Sequence, residues 1–246
     1  MLLQNSMPPL TFMEVCGTHT VAIAKSGIRE FLSPHIKLIS GPGCPVCVTD
    51  ESDIEAALKL ARTPGVILAT FGDMLRVPSR GDSLALARAD GADVRVVYSI
   101  LDALKLAQEL PHRPIVFYAV GFETTACTTA CGLMRARSLG LKNLFLYSAQ
   151  KILLPAIRAL LAGYQDRVKV HGFILPGHVA SVVGSRPFEF ISSEFLKPSV
   201  ITGFEPKDIM EGIAMLKTLT QVRPEVRIQY QRVVSPDGNP RAKWAI

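Results

Sequence analysis

Two cysteines separated by two residues, Cys44 and Cys47, have the clearest chemical potential in this sequence. They lie in the segment GPGCPVCVTD, between an apolar run that ends at Ile39 and a helix-like run that begins at Asp53. The positive end of a helix dipole favours thiolates, and such pairs are typical of redox-active dithiols. The same pair would supply half of a four-thiolate zinc site, but the other cysteines form no second pair at this spacing. The pattern therefore favours redox chemistry.

A second pair of candidates, Cys16 and His19, follows the apolar run that ends at Val15. A thiolate and an imidazole three residues apart can both bind one transition metal. A small buried cysteine beside a surface histidine is an equally good interpretation. The spacing leaves both alternatives open.

Two further features lie on one predicted helix. Glu123, Thr124 and Thr125 stand at its start, where the dipole favours a carboxylate and hydroxyls cap backbone N–H groups. They form either a helix cap or a ligand-contacting, proton-handling carboxylate with two hydroxyls. Cys127 and Cys131 share a face of this helix among small neighbours, which favours core packing over metal ligation.

Short apolar runs alternate with helical patterns along the chain, which is typical of an α/β fold with parallel sheets covered on both faces. The predicted strands are Thr11–Val15, Ile36–Ser40, Val66–Thr70, Val94–Tyr98, Ile115–Val120, Asn143–Ser148, Val170–Leu175 and Val200–Phe204. The predicted helices include Ile54–Ala61, Leu101–Glu109, Thr124–Ala136, Pro155–Ala162 and Lys207–Leu219.

The two halves of the chain resemble each other at an offset of about 105 residues. The segment CGTHT beginning at Cys16 resembles GFETT beginning at Gly121, and Phe71-Gly72-Asp73 matches Pro176-Gly177-His178. We therefore expect two similar Rossmann-like domains that face a cleft. They are a first domain of residues 1–112 with Cys16 and the Cys44/Cys47 pair, a second of residues 113–235 with Glu123, and a truncated tail of residues 236–246.

Ligands of open α/β sheets bind at the carboxyl ends of the strands. Residues that follow predicted strands are therefore expected to line the cleft. They are Thr18, Asp73, Thr124, Thr125 and His178. No G-x-x-x-x-G-K-[ST] motif is present, which argues against a nucleotide-binding P-loop.

The composition limits which partners and which cellular compartment we expect. The net charge of +6 is spread along the chain and aromatic residues make up 7%, so a nucleic-acid partner is not expected. No apolar run approaches the roughly 18 residues that span a bilayer. The N-terminal segment MLLQNSMPPLTF lacks a secretory pattern, so we expect a cytoplasmic protein with no membrane partner. In that compartment the five cysteines favour catalysis or ligation over disulfides.

A series of motifs together resembles the HypD family of hydrogenase maturation factors. The motifs are FMEVCGTHT, GPGCPVCVT, TFGDMLRVP, GADVRVVYS, GFETTA, PGHV, GFEP and RVVSPDGNPRA, in that order from about Phe12 to Ala242. Their combination is far more specific than any single motif and spans nearly the whole chain.

The resemblance implies two similar α/β domains, a third segment that holds a [4Fe-4S] cluster, and a partnership with the small chaperone HypC. Such proteins are scaffolds on which iron receives cyanide and carbon monoxide, giving an Fe(CN)2CO group. The cyanide donor is HypE, which carries the cyanide as a thiocyanate, and the iron passes to the large subunit of [NiFe] hydrogenase.

Individual residues take roles from their motif positions in the resemblance. Cys16 would ligate iron together with a cysteine of the chaperone, and His19 belongs to the same motif. Cys44 and Cys47 would form the redox dithiol, while Glu123 and the two threonines after it would line the cleft.

The chain also departs from the family pattern. Val21 replaces a usual histidine, Gln150 replaces another, and the chain ends at Ile246 before the cluster-binding cysteines. We therefore expect no ligands for the [4Fe-4S] cluster in this chain.

These observations favour an iron-binding assembly scaffold with a redox dithiol over an enzyme with free substrate turnover. Two alternatives remain. One is a thiol–disulfide oxidoreductase that uses Cys44 and Cys47. The other is a partner-binding module that has lost its redox activity.

Overall fold

The computed structural model describes residues 8–163 and 169–246. Residues 1–7, the first part of the N-terminal segment for which no secretory pattern was predicted, lie outside the described part. The chain forms two compact units: unit 1 comprises Met1–Cys44 and Leu153–Pro240, and unit 2 comprises Pro45–Ile152 and Arg241–Ile246. Each unit carries one parallel sheet with helices between its strands, which confirms the predicted α/β class.

The strands of the described residues are β1 (Leu10–Glu14), β2 (Ile36–Ser40), β3 (Ile67–Thr70), β4 (Val94–Val96), β5 (Ile115–Ala119), β6 (Leu144–Ser148), β7 (Gly172–Pro176), β8 (Ser199–Thr202) and β9 (Val226–Ile228). The α-helices are α1 (Gly17–Ser26), α2 (Ile28–Leu32), α3 (Glu51–Ala61), α4 (Leu84–Ala89), α5 (Ile100–Glu109), α6 (Glu123–Ser138), α7 (Leu153–Gly163), α8 (Gly177–Val183), α9 (Phe190–Ser193), α10 (Pro206–Leu219) and α11 (Pro240–Ala245). Short 3-10 helices cover Gly72–Arg76 and Arg186–Phe188. Ile36–Ser40 is confirmed with its predicted ends, and the other seven predicted strands are confirmed with shifted ends, while β9 was not predicted.

The sheet of unit 1 has the strand order β2-β1-β7-β8-β9. Phe12 of β1 is fully buried and packs with Ile23 of α1, Ile174 of β7 and Leu216 of α10. Burying a side chain of this size contributes about 1.5–3 kcal/mol. The core therefore joins residues from the two ends of the chain and fixes the carboxyl end of β1.

The sheet of unit 2 has the order β4-β3-β5-β6 and is covered on both faces. Leu68 of β3 packs with Leu58 and Met74 on one face, whereas Ile67 packs with Ile100 and Phe117 on the other. Successive side chains of a strand point to opposite faces, so a strand that is apolar throughout needs helices on both sides.

The offset of about 105 residues relates equivalent strands of the two sheets. It pairs β1 with β5, β3 with β7 and β4 with β8, and a slightly larger offset pairs β2 with β6. Under this pairing the order β8-β7-β1-β2 in unit 1 matches β4-β3-β5-β6 in unit 2. The predicted repeat is therefore present as a common strand order.

The repeat does not coincide with two contiguous halves. The division differs from the predicted domains 1–112 and 113–235, because residues 112 and 113 lie between α5 and β5 inside unit 2. The predicted tail 236–246 is also divided, and its last part forms α11. The physical reason is the pairing of β1 with β7, in which Phe12 lies beside Gly172. Local periodicity carries no signal for such a distant pairing.

Among the described residues no helix is both long and apolar enough to span a bilayer.

Candidate functional site

The carboxyl edge of the unit 1 sheet gathers several predicted site residues. Cys16 follows β1, the Gly41–Cys44 segment follows β2, and His178 follows β7. In this sheet β1 lies between β2, the next strand along the chain, and β7, the first strand after unit 2, so the strand order reverses at β1. Such a change of direction is where open α/β sheets bind ligands.

A buried carboxylate, Glu14, closes β1 and was missed from the sequence. Its side chain is fully buried, its Oε2 accepts a hydrogen bond from the Cys16 backbone N–H at 3.1 Å, and its Oε1 accepts one from the Thr20 hydroxyl at 2.5 Å. Burial raises the pKa of the Glu14 carboxyl, while hydrogen bonds from Ser40, Thr20 and Cys16 and the charge of Arg29 oppose the rise. Glu14 therefore ties the start of α1 to the end of β1.

Cys16 occupies the N-cap position of α1 and is 3% exposed. Burial raises the pKa of its thiol, whereas the backbone N–H groups of His19 and Thr18 and the Thr18 hydroxyl act in the opposite direction. Those donors would hold a thiolate once a cation offsets the cost of desolvation. The exposed Thr18 thus lies beside Cys16, while its place in a cleft stays a prediction.

The backbones that carry Cys16 and Cys44 lie in direct contact. Gly17 donates a backbone hydrogen bond to the Gly43 carbonyl at 2.9 Å. A Cβ atom at Gly43 would lie 2.0 Å from the Cys16 nitrogen, and one at Gly17 would lie 3.5 Å from the Cys44 Cβ. Only glycine at position 43 permits this approach, which brings the first two cysteines of the sequence together at one edge.

The second cysteine of the Cys-x-x-Cys motif lies on a turn. Residues 45–48 form this turn, the Thr49 hydroxyl donates to the Pro45 carbonyl at 2.9 Å, and Cys47 is exposed. Asp50 is the N-cap of α3, and its carboxylate accepts from the Ser52 N–H at 2.8 Å. The sequence correctly placed the motif between β2 and α3, but Cys16 is the cysteine that caps a helix.

His19 is fully buried and points away from the exposed surface of α1. Its Nε2 lies 2.9 Å from the Gly203 carbonyl and 3.0 Å from the Thr202 hydroxyl, which assigns the ring proton to Nε2 because a carbonyl only accepts. Burial lowers the pKa of His19 to about 4. The ring stacks on Phe204 at 4.7 Å between centroids. The alternative of a surface histidine is therefore wrong, and His19 fastens α1 to the end of β8.

His178 joins the same aromatic group from β7. Its ring centroid lies 5.0 Å from that of Phe204, and burial lowers its pKa. Asp208 lies against this loop, since a Cβ at Gly203 would lie 2.1 Å from its Oδ2, and its carboxylate accepts two hydrogen bonds from Arg232 at 2.9 and 2.6 Å. The Arg232 guanidinium lowers the pKa of Asp208 to about 2. The rings of His19 and His178 thus both pack against Phe204.

In unit 2, the corresponding carboxyl edge carries hydroxyl groups. Glu123 is 4% exposed in the first turn of α6, and Thr124 and Thr125 follow it. A cavity of about 260 Å³ lies at this edge. Its lining residues are Phe71, Tyr98, Ser99, Ile100, Thr124, Thr125, Thr128 and Thr129. The predicted threonines therefore line a cavity within their own unit, while the predicted cleft shared by both units stays a prediction.

Two predictions in unit 2 have different outcomes. Asp73 is exposed in the 3-10 helix after β3, at the predicted carboxyl edge. Cys127 and Cys131 were predicted to be core residues, but Cys131 is exposed and Cys127 is half-buried. The small neighbours Ala130 and Gly132 misled the prediction, since α6 packs on α5 through Gly132, where a Cβ would lie 2.2 Å from Ile100.

The described residues contain no group of three or more His, Cys, Asp or Glu side chains arranged to hold a metal ion. A four-thiolate iron–sulfur cluster therefore does not fit the described part of the chain. Among the residues that the sequence analysis missed, Glu14 could have been found, because it is a lone acid within the apolar run TFMEV. Gly203 and Phe204 had no signal other than their place in the GFEP motif.

Comparisons with known proteins match this chain to one family. The HypD family model, described as "Hydrogenase formation hypA family", matches residues 2–246. The chain is 45% identical over 239 residues to hydrogenase maturation factor HypD of Escherichia coli (strain K12), covering 97% of this chain and 64% of that protein. It is 46% identical over 239 residues to HypD of Rhizobium leguminosarum bv. viciae, covering 94% and 62%, respectively. The chain thus spans slightly less than two thirds of these relatives.

Proposed function

The chain belongs to the HypD family of hydrogenase maturation factors, and we propose that it is an assembly scaffold on which iron receives its cyanide and carbon monoxide ligands. The observation that carries the proposal is the contact between the Cys16 and Cys44 segments through the Gly17–Gly43 hydrogen bond. It brings a candidate iron ligand beside a candidate redox thiol at the carboxyl edge of one sheet.

Iron is the cargo, and Cys16 is its proposed ligand in this chain. The N–H groups of Thr18 and His19 favour the thiolate, which a bound cation would favour further. A cysteine from a HypC-like small chaperone would supply a second thiolate. Thiolates are soft ligands suited to iron that carries carbon-donor groups. His19 acts as a positioning residue in this proposal, because its Nε2 is bonded to the Gly203 carbonyl.

Cys44 and Cys47 are the proposed source of two electrons. A HypE-like donor would bring cyanide as a thiocyanate, and the S–CN bond breaks as the S–S bond of Cys44 and Cys47 forms. The dithiol is oxidised and loses two protons, one of which goes to the donor thiolate and the other to solvent, while cyanide leaves with the electron pair of the broken bond and binds iron. An external thiol reductant then restores the pair. Glu123 is the proposed proton-handling carboxylate, and the finished group would pass to a hydrogenase large subunit.

The experiment is co-expression of the chain with the small chaperone and the other maturation proteins, followed by infrared spectroscopy of the purified complex. We expect cyanide and carbonyl bands. Cys16→Ser should abolish both iron and bands, and Cys44→Ser or Cys47→Ser should abolish the cyanide bands. Cys131→Ser, which replaces an exposed cysteine of unit 2, is the matched control and should leave the bands unchanged.

Each alternative function predicts a different result. A plain oxidoreductase would reduce model disulfides at a rate unaffected by Cys16→Ser and would retain no iron. A partner-binding module would form the complex without iron or infrared bands. A folded complex that lacks bands in every variant and in the unmodified chain would overturn the proposal. The cytoplasm is the proposed compartment.

A further inference from the structure

A line of sulfur-bearing side chains on α6 has no part in the site described above. Cys127, Cys131 and Met134 follow one another at spacings of four and three residues. Residues at these spacings share one face of a helix. Cys131 is exposed, Cys127 is half-buried and Met134 is 46% exposed, so this face opens to solvent.

The two thiols are already neighbours. Burial raises the pKa of the Cys127 thiol, and the charge of Cys131 and a side-chain hydrogen bond with it raise that pKa further, so the two side chains interact. Cβ atoms four residues apart on a helix are separated by about 5–6 Å, whereas a disulfide requires about 3.5–4.5 Å. A metal ion that binds both sulfur atoms tolerates this wider separation, because two metal–sulfur bonds, about 2.3 Å each in zinc sites, then lie between them. The spacing therefore suits a bridging metal ion better than a disulfide.

The ligand set also limits which ion fits. Thiolate and thioether sulfurs together select Cu(I), whereas zinc takes four ligands in its structural sites. Binding displaces one proton from each thiol and leaves a complex with a single negative charge. Arg135 stands one turn beyond Cys131 on the exposed surface, where its guanidinium favours that charge.

We propose that Cys127, Cys131 and Met134 form a Cu(I) site on the exposed face of α6, with two thiolates and one thioether as ligands. The site belongs to unit 2 and does not depend on the iron chemistry proposed for Cys16.

The test is an anaerobic Cu(I) titration of the whole chain against a coloured Cu(I) chelator. The other three cysteines are replaced by serine first, because Cys44 and Cys47 also bind soft ions. We expect one Cu(I) per chain. Adding Cys131→Ser should weaken binding by about 100-fold and Met134→Leu by about tenfold, in keeping with the loss of ligating and supporting groups. Thr128→Ala changes a residue of the same helix that has no sulfur, so it is the matched control and should leave the Cu(I) affinity unchanged.

A second measurement keeps the test valid if the multiple variant fails to fold. In the unmodified chain, Cu(I) should protect Cys127 and Cys131 from alkylation, as read by mass spectrometry of the peptide that contains both. Unchanged labelling of both cysteines at saturating Cu(I) would overturn the proposal. So would a Cu(I) affinity that is the same with and without Cys131→Ser.

Discussion

The carboxyl edges of the two sheets share a hydrogen-bond pattern but carry different chemistry. In unit 1 the loop after β2 begins with Gly41, which donates to the Glu14 carbonyl at 2.7 Å. In unit 2 the loop after β6 begins with Ala149, which donates to the Ala119 carbonyl at 2.9 Å. Two residues further on, unit 1 has Gly43 pressed onto the backbone of Cys16. Both sheets thus have an edge of the same design, and a single glycine permits the backbone contact between the Cys16 and Cys44 segments.

The same comparison applies to the helices that start at these edges. The N-cap is Cys16 in unit 1 and Phe122 in unit 2. Three residues later the buried His19 reaches across to β8, whereas Thr125 packs onto Gly121 of its own loop. Unit 1 therefore fixes its helix by a distant polar contact, and unit 2 does so by local packing.

The largest effect is expected from Gly43→Ala. The new Cβ would lie 2.0–2.4 Å from backbone atoms of Val15 and Cys16, which cannot rotate away as a side chain could. We expect the free energy of unfolding to fall by about 3 kcal/mol or more, together with loss of iron retention. Chemical denaturation measures the change.

Gly163→Ala is the matched control for Gly43→Ala. A Cβ at Gly163 meets no atom within 4 Å, so its effect on stability should be slight. Equal effects of the two substitutions would show that the contact between the Cys16 and Cys44 segments is not tight.

The second effect concerns His19 and pH. Its pKa is about 4 in the folded chain and 6.5 when unfolded, so its contribution to stability is complete above pH 6.5 and is lost as the pH falls toward 4. His19→Gln retains a donor for the Gly203 carbonyl but does not titrate. The stability difference between wild type and variant should therefore change by roughly 3 kcal/mol between pH 7 and 4. Parallel stability curves over this range would contradict the buried neutral ring.

The third effect concerns the corresponding loop of unit 2. Gly121→Ala places a Cβ 2.3 Å from the Thr125 Cβ, a side-chain contact that a small shift of the first turn of α6 can relieve. We expect a loss of about 1–2 kcal/mol, smaller than that of Gly43→Ala. Denaturation of both variants under one condition gives the ranking, and a larger loss for Gly121→Ala would reverse the argument.

Those elements of the fold that depend on local sequence pattern could be predicted from the sequence. Ile36–Ser40 was predicted with its observed ends, and the Cys-x-x-Cys turn lies where its prolines and glycines indicated. The repeat offset was a correct indication of two similar sheets. The interleaving of the units was not predictable, because the pairing of β1 with β7 depends on burial between distant segments.

The site was predictable to a similar extent. Cys16 and Cys44 were named from their types and spacing, and the structure brings their backbones together. Glu14 was missed because a lone acid at the end of a strand reads as exposed, while here three hydrogen-bonding groups and burial surround it. Likewise, the buried position of His19 follows from its partner on β8, which no local pattern reveals.

The smallest effect leaves stability unchanged and concerns the rate at which the cysteines react. Burial raises the pKa of the Cys16 thiol and restricts access to it, whereas Cys47 is exposed on its turn. Because the thiolate is the nucleophile, Cys16 should be alkylated by iodoacetamide at least about tenfold more slowly than Cys47 in the native chain. Mass spectrometry of timed samples gives both rates, and denaturant should bring them close together. If Cys16 reacts as fast as Cys47 without denaturant, the thiol at the N-cap of α1 is open to solvent and the contrast between the buried Cys16 and the exposed Cys47 is lost.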